Sequence, residues 1–198
     1  MRLALVDYGA GNIGSVAIAF ERLGLEPLLT ADVSEIAAAD RVIIPGVGAA
    51  GEAMAEMRKR ELVQPLRALK QPVLGICLGM QLLFERSEEN RTECLGIIPG
   101  AVRRLTPAPD RPVPHMGWSS LSVRDPAIGL VQGDYVYFAH GFACDDGPYS
   151  VATADYGRPI PAVVRRDNYI GAQFHPEKSG VAGARFLEAF LVGGSNPL

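Results

Sequence analysis

The stretch Pro72-Val73-Leu74-Gly75-Ile76-Cys77-Leu78-Gly79-Met80-Gln81-Leu82-Leu83-Phe84-Glu85 decides the fold of this chain. It follows the polar pair Lys70-Gln71 and runs apolar through Val73, Leu74 and Ile76, the pattern of a short buried strand in a parallel sheet. From Leu78 the helix formers Leu, Met, Gln and Glu take over. Cys77 therefore falls at a strand-to-helix change, flanked as Gly-x-Cys-x-Gly. A nucleophile on so sharp a turn needs small residues two places to either side, because the backbone there is crowded. The turn also sets the thiol at a helix N-terminus, where orphan N–H groups and the helix dipole favour a thiolate and can bind an oxyanion. The competing reading is an inert core cysteine, a common fate of free Cys. The flanking glycines argue against it.

Working outward toward the N-terminus, strands and helices alternate. Leu3 to Val6 reads as a buried strand ending at Asp7, with a helix after it through about Gly24 that carries Val16, Phe20 and Leu23 on its apolar face. Leu25 to Leu29 is a second strand, Ser34 is expected to cap a short Ala-rich helix, and Arg41 to Ile44 is a third strand stopped by Pro45-Gly46-Val47-Gly48. Helical stretches at 50–58 and 61–69 lead back to the Cys77 strand. This β-α-β-α-β-α-β run predicts an α/β fold, a mostly parallel central sheet flanked by helices on both faces.

Toward the C-terminus the grammar changes. Short β-like runs at 101–105, 121–123, 135–139, 150–154, 162–165 and 169–174, set among Pro and Gly, predict an antiparallel extension of the same sheet with loops over its rim. A last helix at about 181–192 places Phe186, Leu187, Phe190 and Leu191 on one side. No break in composition divides the chain, so 1–198 reads as a single domain, with 193–198 expected as a flexible tail.

The bulk numbers exclude several classes. With 48% apolar and 21% charged residues, the 198-residue chain has material for a full core. A net charge of −3 and the lack of any basic run speak against nucleic acid as a partner. No apolar run approaches a membrane span, and the N-terminal one ends at Asp7, too early for a signal segment. The three cysteines, Cys77, Cys94 and Cys144, are far apart and form no C-x-x-C pair, so neither a metal site nor a disulfide framework is expected. Free thiols suit a reducing, cytoplasmic setting.

One motif points elsewhere. Gly9-Ala10-Gly11-Asn12-Ile13-Gly14 is a formal G-x-G-x-x-G between a strand and a helix, and Asp32 stands where a ribose-binding acid would. But Gly46-Val47-Gly48-Ala49-Ala50-Gly51 fits the same pattern in a chain with 22 glycines, and Asp7 is an awkward neighbour for a pyrophosphate. The dinucleotide-binding reading is set aside on those grounds.

A thiolate needs a base, and the chain has three histidines. His175 follows a strand and precedes Pro176, which keeps it extended. Residues two apart on an extended segment share a side, so Glu177 can hold the His175 ring and stabilise its cation. Cys77, His175 and Glu177 are then the parts of an acyl-transfer triad. The bland alternative makes Glu177 a solvated charge and His175 a structural residue. His140, at another strand end, is the second-choice base. His115, in Pro114-His115-Met116-Gly117-Trp118, reads as a loop residue at a contact surface. Trp118 either packs in the core or, if exposed, marks an interface. The glycines of Pro45-Gly46-Val47-Gly48, beside the Cys77 strand, would let backbone N–H groups swing toward the thiol.

Gly-Ile-Cys-Leu-Gly-Met-Gln around Cys77, with Phe-His-Pro-Glu at 174–177, resembles the class I, triad-type glutamine amidotransferases. Asp7-Tyr8-Gly9-Ala10-Gly11-Asn12 with Ser15-Val16, Pro45-Gly46-Val47-Gly48, His115-Met116-Gly117-Trp118, Tyr137-Phe138-Ala139-His140 and His175-Pro176-Glu177-Lys178-Ser179 narrow the resemblance to the glutaminase subunits that serve a cyclase in histidine biosynthesis. The resemblance spans nearly the whole chain. It implies a flavodoxin-like sheet, no cofactor, and L-glutamine as substrate. It implies Cys77, His175 and Glu177 as catalytic residues, with an oxyanion hole from Gly46, Val47 and Leu78. It implies glutamine contacts at Gly48, Gln81, Glu89, Gly141 and Phe142. It further implies a heterodimer with a (β/α)₈-barrel cyclase subunit, met through His115, Met116, Trp118, Tyr137 and Lys178. That cyclase would use the ammonia to make imidazole glycerol phosphate and aminoimidazole carboxamide ribonucleotide. The chain departs from the usual family pattern at Ser119, where Asn is common, and at Gly141 and Phe142, where Ser or Thr and then Tyr are common. Another class I glutaminase, a γ-glutamyl hydrolase and a non-catalytic interaction module are the remaining alternatives.

Overall fold

A computed structural model describes residues 1–9 and 13–193. The middle of the Gly9–Gly14 motif and residues 194–198 of the expected tail lie outside the described residues. In chain order the elements are β1 (Leu3–Val6), α1 (Ile13–Glu21), β2 (Leu28–Thr30), α2 (Val33–Ala37), β3 (Arg41–Ile44), α3 (Ala50–Lys59), α4 (Val63–Ala68), β4 (Val73–Ile76) and α5 (Leu78–Gln81). There follow β5 (Phe84–Ser87), β6 (Thr92–Glu93), β7 (Ile98–Arg104), β8 (His115–Val123), β9 (Tyr135–His140), β10 (Phe142–Cys144), β11 (Ser150–Asp155), β12 (Pro159–Arg166), β13 (Tyr169–Ala172) and α6 (Gly180–Val192).

Among the described residues a nine-stranded sheet runs in the order β2-β1-β3-β4-β13-β12-β11-β8-β9. Its β2-β1-β3-β4-β13 portion is parallel and the remainder antiparallel. The class read from the sequence thus holds. The central parallel strands are apolar, apart from Arg41 at the start of β3, because both faces are covered. Successive residues alternate between two cores: Ala4, Val6, Val42 and Ile44 face one way with α3 and α4, while Leu3, Leu5 and Ile43 face the other with Phe20 of α1 and Phe186 and Phe190 of α6.

Several expectations need correction. The helix after Cys77 lasts only four residues. The carbonyls of Leu82 and Leu83 are captured by the N–H groups of Leu95, Ile97 and Ile98, which draws the chain into a second, four-stranded sheet, β10-β7-β5-β6. The run at 101–105 therefore belongs to that sheet and not to an extension of the first. The cap of α2 is Asp32, whose side chain accepts from the N–H groups of Ser34 and Glu35. Asp32 is thus employed in capping, which removes the acid the dinucleotide reading required. The segment around His115 is a nine-residue strand, not a loop. The second strand begins at Leu28, after Pro27, not at Leu25.

Candidate active site

Cys77 joins β4 to α5 in a left-handed backbone conformation, φ 53° and ψ −109°, which L residues avoid at a cost of about 1–3 kcal/mol. Its glycine flanks are sterically demanded. A Cβ on Gly79 would lie 2.0 Å from the Ile44 carbonyl oxygen, and one on Gly75 would lie 2.6 Å from the Gly79 carbonyl oxygen. The Cys77 N–H donates to the Ala172 carbonyl at 2.7 Å, so it is committed to the sheet. Leu78 opens α5, where its own N–H has no partner within the helix. Gly46 packs against this turn so closely that a Cβ there would lie 2.5 Å from the Gly79 nitrogen. The backbone of Pro45-Gly46-Val47-Gly48 therefore runs beside Cys77 and Leu78. At one end of this segment the Pro45 carbonyl accepts from the Tyr8 hydroxyl at 2.5 Å; at the other the Ala50 N–H donates to Glu89 Oε2 at 2.7 Å.

β13 pairs in parallel with β4 and delivers His175 beside the thiol. The His175 ring shares one cavity with the Cys77 thiol, and its Nδ1 lies 2.8 Å from Glu177 Oε1, with the His175 and Glu177 side chains buried. Burial alone would lower the His175 pKa. The hydrogen bonds to Cys77 and Glu177 and the negative charge of both outweigh it and hold the ring protonated up to about 9. Glu177 reaches His175 from a 3₁₀ turn, Pro176–Lys178, rather than along an extended segment. Ser179 braces that turn, donating to the His175 carbonyl at 2.7 Å and accepting the Tyr137 N–H at 3.0 Å.

A cavity of about 240 Å³ opens on Cys77 and His175, lined also by Val47, Gly48, Leu78, Gln81, Glu89, His140, Gly141, Phe142 and Lys178. It lies at the carboxyl ends of the parallel strands, where α/β sheets hold their ligands. A larger groove of about 950 Å³ lies at the opposite ends of β4 and β13, beside Pro72 and Tyr169. It holds none of the triad residues, and size without a nucleophile carries no chemistry. Among the described residues no cluster suited to a metal ion occurs, and no helix is long and apolar enough to cross a membrane.

The other two histidines are placed differently from the reading above. His140 Nδ1 lies 2.7 Å from the Phe142 carbonyl and its Nε2 lies 3.2 Å from His115 Nδ1, so both nitrogens are engaged away from the thiol. Burial, with the neighbouring His115 and His175, pushes the His140 pKa down to about 4. A ring so hard to protonate is a poor base. His115 is 4% exposed and faces inward from β8, so it is not a surface residue. Met116 and Trp118, on the opposite face of that strand, are 65% and 54% exposed. Trp118 meets Tyr137 edge-on across the β8–β9 pair, and the Lys178 ammonium lies 5.8 Å from the Tyr137 ring centroid. Exposed Tyr135, farther along β9, adds to this apolar patch.

Two residues of the site escaped the sequence reading. Tyr8 is buried, and that burial together with the Cys77 sulfur raises its phenol well above the usual range. Gln173 is fully buried, accepts from Gln81 Nε2 at 3.0 Å and lies with its own Nε2 3.9 Å from the Cys77 sulfur. The available signal was an amide inside the apolar run Gly171-Ala172-Gln173-Phe174.

A strained thiol corner with a carboxylate-held imidazole on a parallel sheet defines a class of hydrolytic nucleophile. The chain belongs to the glutamine amidotransferase class-I family, whose sequence pattern matches residues 4–193. Its similar relatives narrow this further: it is 51% identical over 192 residues, 96% of each chain, to the imidazole glycerol phosphate synthase subunit HisH of Xanthomonas axonopodis pv. citri. It is 47% identical, over 96% of this chain and 97% of the relative, to that of Idiomarina loihiensis. A crystal structure of a glutamine amidotransferase superposes with a TM-score of 0.75 at 20% identity, covering 95% of this chain and 96% of its own. Another, from Thermotoga maritima, gives 0.65 at 17% identity, covering 96% and 82%. At those identities the likeness concerns the fold.

Proposed function

We propose that this chain is the glutaminase subunit of an imidazole glycerol phosphate synthase, acting in histidine biosynthesis. The observation that carries the reading is the Cys77 thiol on its left-handed corner, sharing one cavity with a His175 ring whose Nδ1 is held by buried Glu177. The Cys77 thiolate attacks the side-chain amide carbon of L-glutamine. The carbonyl oxygen takes up the negative charge beside the N–H of Leu78 and the Gly46–Val47 backbone. His175 donates its proton to the amide nitrogen and ammonia leaves, with the acyl group held as a thioester. Water, losing a proton to His175, attacks the thioester, and collapse of that intermediate releases glutamate and restores the thiolate. Gly48, Gln81 and Glu89, with the backbone at Gly141 and Phe142, form the walls that orient glutamine.

The exposed Met116, Trp118 and Tyr135, with half-buried Tyr137 and with Lys178, supply an apolar, largely aromatic face of the kind that anchors a stable partner. We assign that face to the (β/α)₈-barrel cyclase subunit. Ammonia passes across it to the phosphoribulosyl-formimino nucleotide, which the cyclase splits into imidazole glycerol phosphate and aminoimidazole carboxamide ribonucleotide. The test is glutamate release by this chain alone and with a cyclase barrel plus its nucleotide, for the wild type and Cys77→Ala. Stimulation by the loaded barrel, abolished in Cys77→Ala, is expected. Full activity without a partner would indicate a stand-alone glutaminase, and no turnover under either condition would refute the reading.

A further inference from the structure

The two histidines left out of the triad form a chain whose direction the neighbouring groups dictate. The Phe142 carbonyl can only accept, so His140 Nδ1 carries the proton across that 2.7 Å contact. His140 is neutral near neutral pH, so its Nε2 can only accept, and His115 Nδ1 must donate across the 3.2 Å contact. Burial lowers the His115 pKa as well, so the neutral ring's Nε2 accepts from the Ser119 hydroxyl at 3.0 Å. Each link has one donor and one acceptor, and the sequence Ser119, His115, His140, Phe142 carbonyl is fully polarised in one direction. Rings fix it in place: His115 stacks between Phe138 at 4.9 Å and Tyr156 at 4.0 Å.

The ends of the chain are what give it meaning. Ser119 follows Trp118 on β8, and His115 precedes Met116, so the relay occupies the inward face of the strand whose outward face is the exposed apolar patch. At the other end, the Phe142 carbonyl also accepts from Gln81 Nε2 at 2.9 Å, and Gln81 in turn holds Gln173 beside the Cys77 sulfur. With both lone pairs occupied, the Phe142 carbonyl is a fixed wall of the cavity rather than a spare acceptor for substrate.

We propose that Ser119, His115 and His140 are positioning residues: a hydrogen-bonded relay that runs from β8 to the Phe142 carbonyl and fixes the Gly141–Phe142 wall against Gln81. This rests on the glutaminase reading for its kinetic consequence, but not for its geometry. His115→Phe keeps the ring stack and removes the link. It is expected to raise the KM for glutamine about tenfold, the worth of one lost buried hydrogen bond, with kcat changed less than about threefold. Ser119→Ala is expected to shift KM in the same direction by a smaller factor, while Ser119→Asn, which still carries a donor, keeps the wild-type value. Independently of turnover, ¹⁵N NMR of the histidine rings should show Nδ1 protonated and Nε2 unprotonated at both His140 and His115. A proton on His140 Nε2 would overturn the relay, as would a wild-type KM in folded His115→Phe. If His115→Phe fails to fold, the ring spectrum and the Ser119 pair decide, and equal KM values for Ser119→Ala and Ser119→Asn count against it. A wild type that turns over no glutamine would fail the glutaminase reading, leaving the ring spectrum to judge the relay.

Discussion

Replacing Gly79 by alanine adds one methyl group at the corner that carries Cys77. That carbon would sit 2.0 Å from the Ile44 carbonyl oxygen and 3.1 Å from that of Pro45, where ordinary contact begins near 3.4 Å. The obstacle is main chain of the central strand β3, hydrogen-bonded on both sides, so no side-chain rotation relieves it. The turn must instead move by more than an ångström. Overpacking of this kind costs about 1–3 kcal/mol, and a backbone obstacle places Gly79→Ala at the upper end. For a domain of this size about 3 kcal/mol lowers Tm by roughly 6–12 °C. A displacement of about 1 Å between the thiol and its base lowers turnover by about a hundredfold. Thermal melts and glutamate release read both effects, and iodoacetamide alkylation reports the thiol directly. The control is Gly14→Ala in α1, where an added Cβ meets nothing within 4 Å. It is expected to be neutral or to stabilise by about 0.4–1 kcal/mol. If the melting temperature and alkylation rate of Gly79→Ala matched the wild type, the steric account of the corner would be wrong.

Other consequences follow from the same coordinates. His175 keeps its proton up to about 9, so kcat/KM should decline as pH rises through that value, and Glu177→Gln should move the decline to lower pH. Because its folded pKa lies above the ordinary 6.5, His175 also stabilises the fold; that contribution is complete below about pH 6.5 and lost as pH rises through about 9, which urea melts of wild type and His175→Gln would expose. Tyr8→Phe strands the Pro45 carbonyl, and a stability loss of about 1–3 kcal/mol with reduced kcat is expected; an unchanged kcat would free Tyr8 of any part in holding the Gly46–Val47 backbone. Trp118→Ala should alter stability by no more than about 0.5 kcal/mol while weakening binding to the proposed cyclase subunit by about 2 kcal/mol, measured by calorimetry; tight binding by the variant would place the interface elsewhere.

The parts of the molecule legible in the sequence are those encoded locally. The parallel strands announce themselves as short apolar runs between Gly and Pro, and the Gly-x-Cys-x-Gly corner follows from crowding alone. What the sequence concealed depends on distant partners. The helix formers after Cys77 yield to a second sheet because Leu95, Ile97 and Ile98 supply N–H groups for carbonyls that a longer α5 would have used. Asp32 and Ser34 are both good caps, and only the geometry of α2 selects Asp32. His115 reads as a loop residue beside a proline, yet pairing with His140 across β8 and β9 turns it inward. The alternation of an extended chain pairs Glu177 with His175, whereas a 3₁₀ turn makes the contact.

The place of β13 has a consequence for how such a protein comes into being. His175 follows Cys77 by 98 residues, yet β13 is inserted between β4 and β12, in the interior of the sheet. A nascent chain lacking that strand leaves one edge of β4 unpaired beside its nucleophile and has no His175 to serve as its base. Closing the sheet and bringing the base to the thiol are therefore one event.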